Sequence, residues 1–275
     1  MMRTLTMILA VLVGGTLSLG AEFPAWAGGP TPTPEAGDPT AIPTAEPDPR
    51  TVALGKAEDR LRKFATKEAR EALEPMADRA GCDAAVAVAL ARVLEQEKKY
   101  DDALKSLDAA VRLAPADPAP LVFRGDVLLR ANKAKDAEQA FTRARTLARA
   151  AVQKDAKDAD GHHALGVAEL RLRQYGAAQT ALLKARELRP DDAMNEYYLG
   201  VLRAFQNRPA DSVAHFNKTL ELSPDMAYAY FYRGMSQDRA GRKDLLVADM
   251  ERFLRLAPEA PEAERARAIV RAAGR

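Results

Sequence analysis

The chain has 275 residues, of which 47% are hydrophobic and only 6% aromatic, and its 41 basic and 39 acidic side chains leave a formal net charge of +2. This length permits one or two domains, and the balanced charge gives no reason to expect a nucleic-acid partner, which usually requires a strongly basic face. The single cysteine, Cys82, excludes an intramolecular disulfide and a cysteine-based zinc site, and we expect it to be a small buried residue at a helix start.

The N-terminal residues have the pattern of an export signal. Arg3 precedes an apolar run from Leu5 to about Ala21, and the sequence AWA then ends at Ala27. A basic start, an apolar middle and an A-x-A end predict a secretory signal peptide over residues 1–27, cleaved after Ala27. The protein is then periplasmic or secreted. An uncleaved membrane anchor is the alternative, although the apolar run is short and is interrupted by glycines.

Residues 28–50 are dominated by Pro, Thr, Gly and acidic side chains, with almost no large apolar residues. Such a segment cannot bury enough surface to offset the entropy of ordering it. We therefore predict a disordered tether at this place. No later stretch of the chain is long and apolar enough to cross a bilayer, so we expect no membrane span in the mature chain.

Residues 51–83 begin a part of the chain that is rich in helix-forming side chains. The apolar residues of this segment recur at helical spacing, at Leu61, Phe64, Ala69, Leu73 and Met76. They predict an N-terminal helical hairpin. This hairpin is either a degenerate copy of the unit that follows it or a cap on the array of those units.

Residues 84–258 contain the same pattern of small and large residues five times. The first small residue of each unit recurs at a constant interval, except that the second interval is longer by seven, at Ala91, Gly125, Gly166, Gly200 and Gly234. A second small residue usually follows twelve positions later, a large residue follows four further on, and a proline closes four of the five units. The spacing predicts two helices per unit, in which small residues allow close approach and a large residue fills the space between them.

The third unit resembles the tetratricopeptide repeat, a helix–turn–helix of about 34 residues, through the residues Leu165, Gly166, Tyr175, Ala178, Leu182, Ala185 and Pro190. The resemblance implies an all-α fold, a right-handed α-solenoid with terminal capping helices. Seven additional residues in the second unit make about two helical turns, so we predict a longer second helix whose packing face is not rotated. Residues 259–275 predict a C-terminal capping helix.

The resemblance also implies a concave groove lined by the first helix of each unit. In the fourth and fifth units the groove positions carry large apolar side chains, which we expect to be partly exposed anchors for a partner: Met194, Tyr197, Val201, Phe205, Tyr228, Phe231 and Met235. A row formed by Arg130, Arg171 and Arg239 could meet carboxylates of the partner. The alternatives are that the aromatic side chains pack on one another or under the C-terminal helix, and that the arginine row is only solvated.

No recognisable catalytic or metal-binding pattern is present in the sequence. His162 and His163 are adjacent, so on a helix their rings point about 100° apart and cannot chelate one ion. Phosphate-binding loops, nucleophile elbows and HExxH motifs are absent from the sequence. We therefore predict a non-enzymatic protein without a cofactor or metal: a scaffold or assembly factor of the bacterial cell envelope that binds an envelope protein or peptide in its groove. The alternatives are a homo-oligomeric structural module and an enzyme that uses groove carboxylates.

Overall fold

The computed structural model describes residues 48–62, 64–79 and 83–273. Within these ranges the chain forms thirteen α-helices and one short 3-10 helix, and it contains no strand. The predicted signal peptide, nearly all of the predicted tether and Cys82 lie outside the described residues. The all-α class and the repeat architecture expected from the sequence are confirmed.

The helices follow one another as hairpins. The first hairpin comprises α1 (Pro49–Arg62) and α2 (Thr66–Leu73), and a 3-10 helix (Glu74–Arg79) follows it. The next five hairpins, repeats 1 to 5, are formed by the pairs α3 (Ala84–Gln96) and α4 (Tyr100–Leu113), α5 (Ala119–Arg130) and α6 (Ala134–Lys154), α7 (Ala159–Arg171) and α8 (Tyr175–Leu188), α9 (Ala193–Phe205) and α10 (Pro209–Leu222), and α11 (Ala227–Arg239) and α12 (Lys243–Leu256). The last helix is α13 (Ala263–Ala273).

Small residues of the first helices lie directly under large residues of the second helices. A Cβ atom added to Gly125 would lie 2.3 Å from the Phe141 ring, and one added to Gly166 would lie 2.6 Å from Cγ of Leu182. Both distances are far below van der Waals contact, so a larger residue at either position would force the neighbouring side chain or helix to move. The side chains of Phe141 and Leu182 are buried as a result, which confirms the small-and-large packing expected from the repeat pattern.

Each hairpin turns through a residue in the left-handed backbone region, where φ is positive. The six residues are Phe64, Lys98, Asn132, Arg173, Asn207 and Gly241. The amide that follows each of them closes the helix: Lys99 N–H donates to the Leu94 carbonyl at 2.8 Å, and Ala65 N–H donates to the Arg60 carbonyl at 2.9 Å. A left-handed residue followed by a backbone hydrogen bond to the carbonyl five residues earlier is a common way for a helix to end. The first hairpin therefore has the same turn as repeats 1 to 5.

The first hairpin also packs in the register of the repeats. Ala57, Ala69 and Leu73 lie one repeat length before Ala91, Ala103 and Leu107, and all six residues are buried. The turn residue Phe64 lies the same interval before its counterpart in repeat 1. Of the two interpretations of residues 51–83, these observations favour a degenerate repeat over a cap. Its first helix begins at Pro49, inside the predicted tether.

The seven-residue insertion lengthens one helix. The second helix of repeat 2, α6, has 21 residues, whereas α4, α8, α10 and α12 have 14 each. Ala137, Ala144 and Ala148 are all fully buried on one face of α6, because seven residues make close to two complete turns. The prediction of a longer helix with an unrotated packing face is confirmed.

The last hairpin packs through larger side chains than the others. Leu246 and Phe253 are buried at positions where the other repeats carry small residues or threonine. The Phe253 ring lies 5.1 Å from the Phe231 ring and 5.6 Å from the Tyr228 ring. Beyond this hairpin, α13 buries Ala263 and Ala266 and packs against α12. Phe253 thus fills the space around the aromatic residues of α11.

Candidate functional site

All ten predicted site residues lie on the first helices of repeats 2 to 5. Helices α5 and α7 carry Arg130 and Arg171, and α9 and α11 carry the others. These helices are neighbours in the array, so the residues line one continuous side of it. They form three groups: five residues of a buried floor, three of a partly exposed rim, and Arg130 and Arg171 in buried ion pairs.

The floor consists of five predicted anchors that are almost fully buried: Met194 (4% exposed), Tyr197 (2%), Val201 (2%), Tyr228 (1%) and Phe231 (3%). The expectation that these side chains stay partly exposed is wrong. They pack on one another and on aromatic residues that the groove positions do not include. The Tyr232 ring, for example, lies 6.1 Å from Tyr197 and 6.2 Å from Tyr228. Burial raises the pKa of Tyr197 well above its ordinary value, so its phenol is neutral.

The rim consists of Tyr175, Phe205, Met235, Arg239 and Arg265. The first four residues are partly exposed and Arg265 is exposed. Tyr175 and Phe205 stack with ring centroids 6.1 Å apart and an interplanar angle of 17°. Arg239 donates from Nη1 to the Ala204 carbonyl at 3.2 Å, which places it beside Phe205. The Arg265 guanidinium lies 4.0 Å from the Met235 sulfur and 5.9 Å from the centre of the Phe231 ring.

Two arginines of the predicted row, Arg130 and Arg171, form ion pairs with carboxylates of the same chain. Arg130 is paired with Glu95, and Arg171 donates to both oxygens of Asp126 at 2.7 and 3.2 Å. All four side chains are at most 5% exposed. Burial opposes the charged form of Arg171, but the nearby Asp126 outweighs it and raises the pKa of Arg171. These two arginines therefore hold neighbouring repeats together.

Arg239 differs from the other two arginines of the row. It is about half-buried and has no ion pair with a carboxylate among the described residues. Burial lowers the pKa of Arg239, and the positive charge of Arg265 acts in the same direction. A guanidinium at pH 7 remains protonated under such a shift. Arg239 and Arg265 are thus two cations at the rim that an acidic group would stabilise.

The sequence pattern did not identify Tyr175, Tyr232 or Arg265 as members of the site. Tyr175 lies on α8, a second helix, and Tyr232 is not one of the predicted groove residues. Arg265 belongs to α13, which lies beyond the five repeats. A signal for Arg265 did exist, because it lies one repeat length after Phe231 and so occupies a groove position of the next unit.

The histidines have local partners. His163 Nδ1 lies 2.8 Å from the Asn195 side-chain oxygen, and His215 Nδ1 lies 2.7 Å from Oε2 of Glu196. In the part of the chain that the structure describes, no group of three or more His, Cys, Asp or Glu side chains is arranged to hold a metal ion. The same part of the chain has no helix with the length and apolarity needed to span a bilayer.

Two family profiles match the chain over nearly all of its helical part. A tetratricopeptide repeat-like domain matches residues 49–159, and the tetratricopeptide repeat matches residues 163–225 and 197–261. Among proteins with curated descriptions, none matches this sequence.

Similar solved structures include a thermophilic TPR protein of Thermus thermophilus, which is 20% identical with a TM-score of 0.55; the match covers 68% of this chain and 99% of that chain. A tetratricopeptide repeat protein of Parabacteroides merdae is 14% identical with a TM-score of 0.56, and its match covers 84% of this chain and 86% of that chain. At these identities the likeness concerns the fold alone.

Proposed function

This chain belongs to the tetratricopeptide repeat family, and we propose on that basis that it is a scaffold that binds a protein segment at the rim of its concave face. The repeat fold is that of protein–protein interaction scaffolds. The segment is an extended peptide or a short helix of a protein of the bacterial cell envelope.

One observation carries the proposal. Apolar and cationic side chains remain accessible together at the rim, while the floor beneath them is closed. Phe205 and Met235 are partly exposed beside the floor residues, and Phe205 is held in place by stacking on Tyr175. Aromatic and Met side chains that stay accessible on a rigid support are frequent anchors in interfaces. A partner that binds at the rim therefore gains a small apolar contact. Because Phe205 is already held in place, little of its side-chain freedom is lost on binding.

The charge at the rim indicates the chemistry of the partner. Arg239 lies on the same helix as Met235, one turn further on, and Arg265 contacts Met235 from α13. An acidic side chain or a C-terminal carboxylate would accept charge-assisted hydrogen bonds from these two guanidinium groups. We therefore propose a partner segment that combines an apolar anchor with an acidic group close to it.

Affinity capture from a cell-envelope extract tests the binding site. The bait is the chain itself, and the triple variant Phe205→Ala, Met235→Ala and Arg239→Ala removes the rim. The control variant Leu113→Ala with Leu245→Ala removes the exposed leucines (39% and 36%) of two second helices. We expect the rim variant to lose a partner that the control retains. Each lost anchor costs on the order of 1.4 kcal/mol, or about tenfold in affinity. Loss of the partner in the control alone would contradict the proposal.

The envelope location is proposed from the N-terminal sequence pattern, in which an apolar run ends in AWA at Ala27. The intact mass of the exported protein tests it. We expect a chain that begins at Gly28 and is recovered in the soluble envelope fraction. A protein that retains Met1 and is found in a membrane fraction would contradict cleavage and favour an anchor.

A further inference from the structure

One turn residue differs from its counterparts in the other hairpins. The counterparts are polar residues or glycine, and all of them are exposed: Lys98, Asn132, Arg173, Asn207 and Gly241. Phe64 is aromatic, has a φ of 54° and is only 8% exposed. A bulky side chain is rare in the left-handed region and persists where surrounding contacts hold it there. Phe64 therefore has a contact that the other turns do not have.

That contact is with the opposite end of the array. The Phe64 ring lies 6.0 Å from the Tyr228 ring of α11, at an interplanar angle of 55°. Phe64 belongs to the buried cluster that contains Leu121, Val122 and Tyr228, whereas the other buried apolar residues of its hairpin pack with α3 in a separate cluster. A helical repeat normally contacts only its neighbours. The α1–α2 turn thus reaches across the concave face to repeat 5.

Phe64 forms the outer layer over a floor residue. Tyr228 is 1% exposed and Phe64 is 8% exposed. The other contacts of Tyr228 include the Phe253 ring at 5.6 Å and Glu262, whose Oε2 accepts a hydrogen bond from the Tyr228 hydroxyl at 2.5 Å. Phe253 and Glu262 belong to the C-terminal end of the array, whereas Phe64 contacts Tyr228 from the N-terminal hairpin. It lies where an apolar side chain of a partner would meet Tyr228.

Replaceable polar contacts hold the turn in this place. Gln96, at the end of α3, donates from Nε2 to the Leu61 carbonyl at 3.0 Å and accepts from the Thr66 hydroxyl at 3.0 Å. Hydrogen bonds of this kind can be exchanged for bonds to water at a small net cost. The other buried apolar residues of the hairpin pack on α3, so the contact of Phe64 with Tyr228 is separate from the cluster of its own hairpin.

We propose that Phe64 is an internal competitor for the groove. It occupies the position over Tyr228 that an aromatic side chain of the partner segment takes. This inference rests on the proposed function and extends its binding surface from the rim to Tyr228. The apparent affinity of the partner is reduced in proportion to the fraction of molecules in which the turn is open.

Nitration of tyrosines by tetranitromethane tests whether Phe64 covers Tyr228. The variant Phe64→Gly removes the ring and suits the left-handed turn, and Lys98→Gly is the matched control at the next turn. If the turn is closed in about 90% of molecules, Phe64→Gly raises the rate of Tyr228 nitration about tenfold. We expect Lys98→Gly to leave that rate unchanged and the buried Tyr197 to stay unmodified in both variants. Circular dichroism melting establishes that the variants are folded.

The partner captured through the rim provides the second measurement. We expect it to bind Phe64→Gly about tenfold more tightly than the original chain, and Lys98→Gly with unchanged affinity. An unchanged nitration rate in folded Phe64→Gly overturns the inference, and so does unchanged or weaker partner binding, because Phe64 would then be a packing residue or part of the binding surface. If the rim captures no partner, the proposed function fails, whereas the nitration rate still decides whether Phe64 covers Tyr228.

Discussion

Glycine residues set the distance between the paired helices of this array. Gly166 shows the constraint most clearly, because a Cβ atom there would lie 2.6 Å from Leu182 Cγ and also 3.1 Å from the Leu182 backbone nitrogen. A flexible side chain can move aside, but the backbone of a packed helix can do so only if the two helices separate. The cost of a methyl group at residue 166 is therefore a cost in helix–helix packing.

Substitution of two glycines in helices distinguishes packing from helix propensity. Gly166→Ala should lower the free energy of unfolding by about 1–3 kcal/mol, because the added methyl group overpacks the contact with Leu182. Gly55→Ala should raise it by about 0.5–1 kcal/mol, because nothing lies within 4 Å of the added atom and alanine favours helix. Urea denaturation of both variants measures the difference. Equal effects of the two substitutions would contradict close packing at Gly166.

The first helices of repeats 1 to 4 begin within two residues of aspartates that recur in the repeat register. Asp83, Asp117, Asp158 and Asp192 follow one another at the same intervals as the small residues of repeats 1 to 4. Each side chain accepts a hydrogen bond from a backbone N–H of the first turn, as Asp192 does from Met194 N–H at 2.9 Å. The carboxylate satisfies an amide that would otherwise have no partner within the helix. This periodic signal was available in the sequence.

The cap of α9 can be tested against its neighbour in the sequence. Asp192→Ala should destabilise the protein by about 1 kcal/mol, because Met194 N–H loses its acceptor. Asp191→Ala changes an exposed residue and should change stability by less than about 0.5 kcal/mol. Thermal unfolding followed by circular dichroism measures both effects. A loss of stability in Asp191→Ala that matches the loss in Asp192→Ala would mean that the cap contributes nothing specific.

At the scale of the whole molecule, the sequence predicts the positions of the helices better than it predicts which side chains of the concave face are buried. The repeat period, the small residues and the closing prolines are local signals, and they predict repeats 1 to 5 and the two added turns of α6. The burial of Tyr228 depends in part on Phe64, which the curvature of the array brings to it from the first hairpin. Curvature is the sum of small rotations between repeats, and no residue of the repeat pattern specifies it. The sequence pattern therefore does not predict that Phe64 covers Tyr228.

The arginine row shows the same difference between local and non-local information. The repeat pattern predicts that Arg130 and Arg171 lie on the first helices of their units, and they do. Their carboxylate partners, Glu95 and Asp126, also occupy groove positions, but in the preceding repeat. The sequence pattern places both acidic and basic residues on the concave side, but it does not indicate which of them form ion pairs with each other. Only Arg239, which lacks such a partner among the described residues, keeps the predicted capacity to meet a carboxylate of another protein.

Photo-cross-linking from single positions tests the central claim, that a protein segment binds at the rim, most directly. A benzophenone amino acid is introduced in place of Phe205 in one variant and in place of the exposed Leu113 in another, and each is irradiated in a cell-envelope extract. We predict a discrete cross-linked product from residue 205, reduced up to about tenfold by Arg239→Ala, and none from residue 113. A product of the same partner from residue 113, with none from residue 205, would contradict binding at the rim.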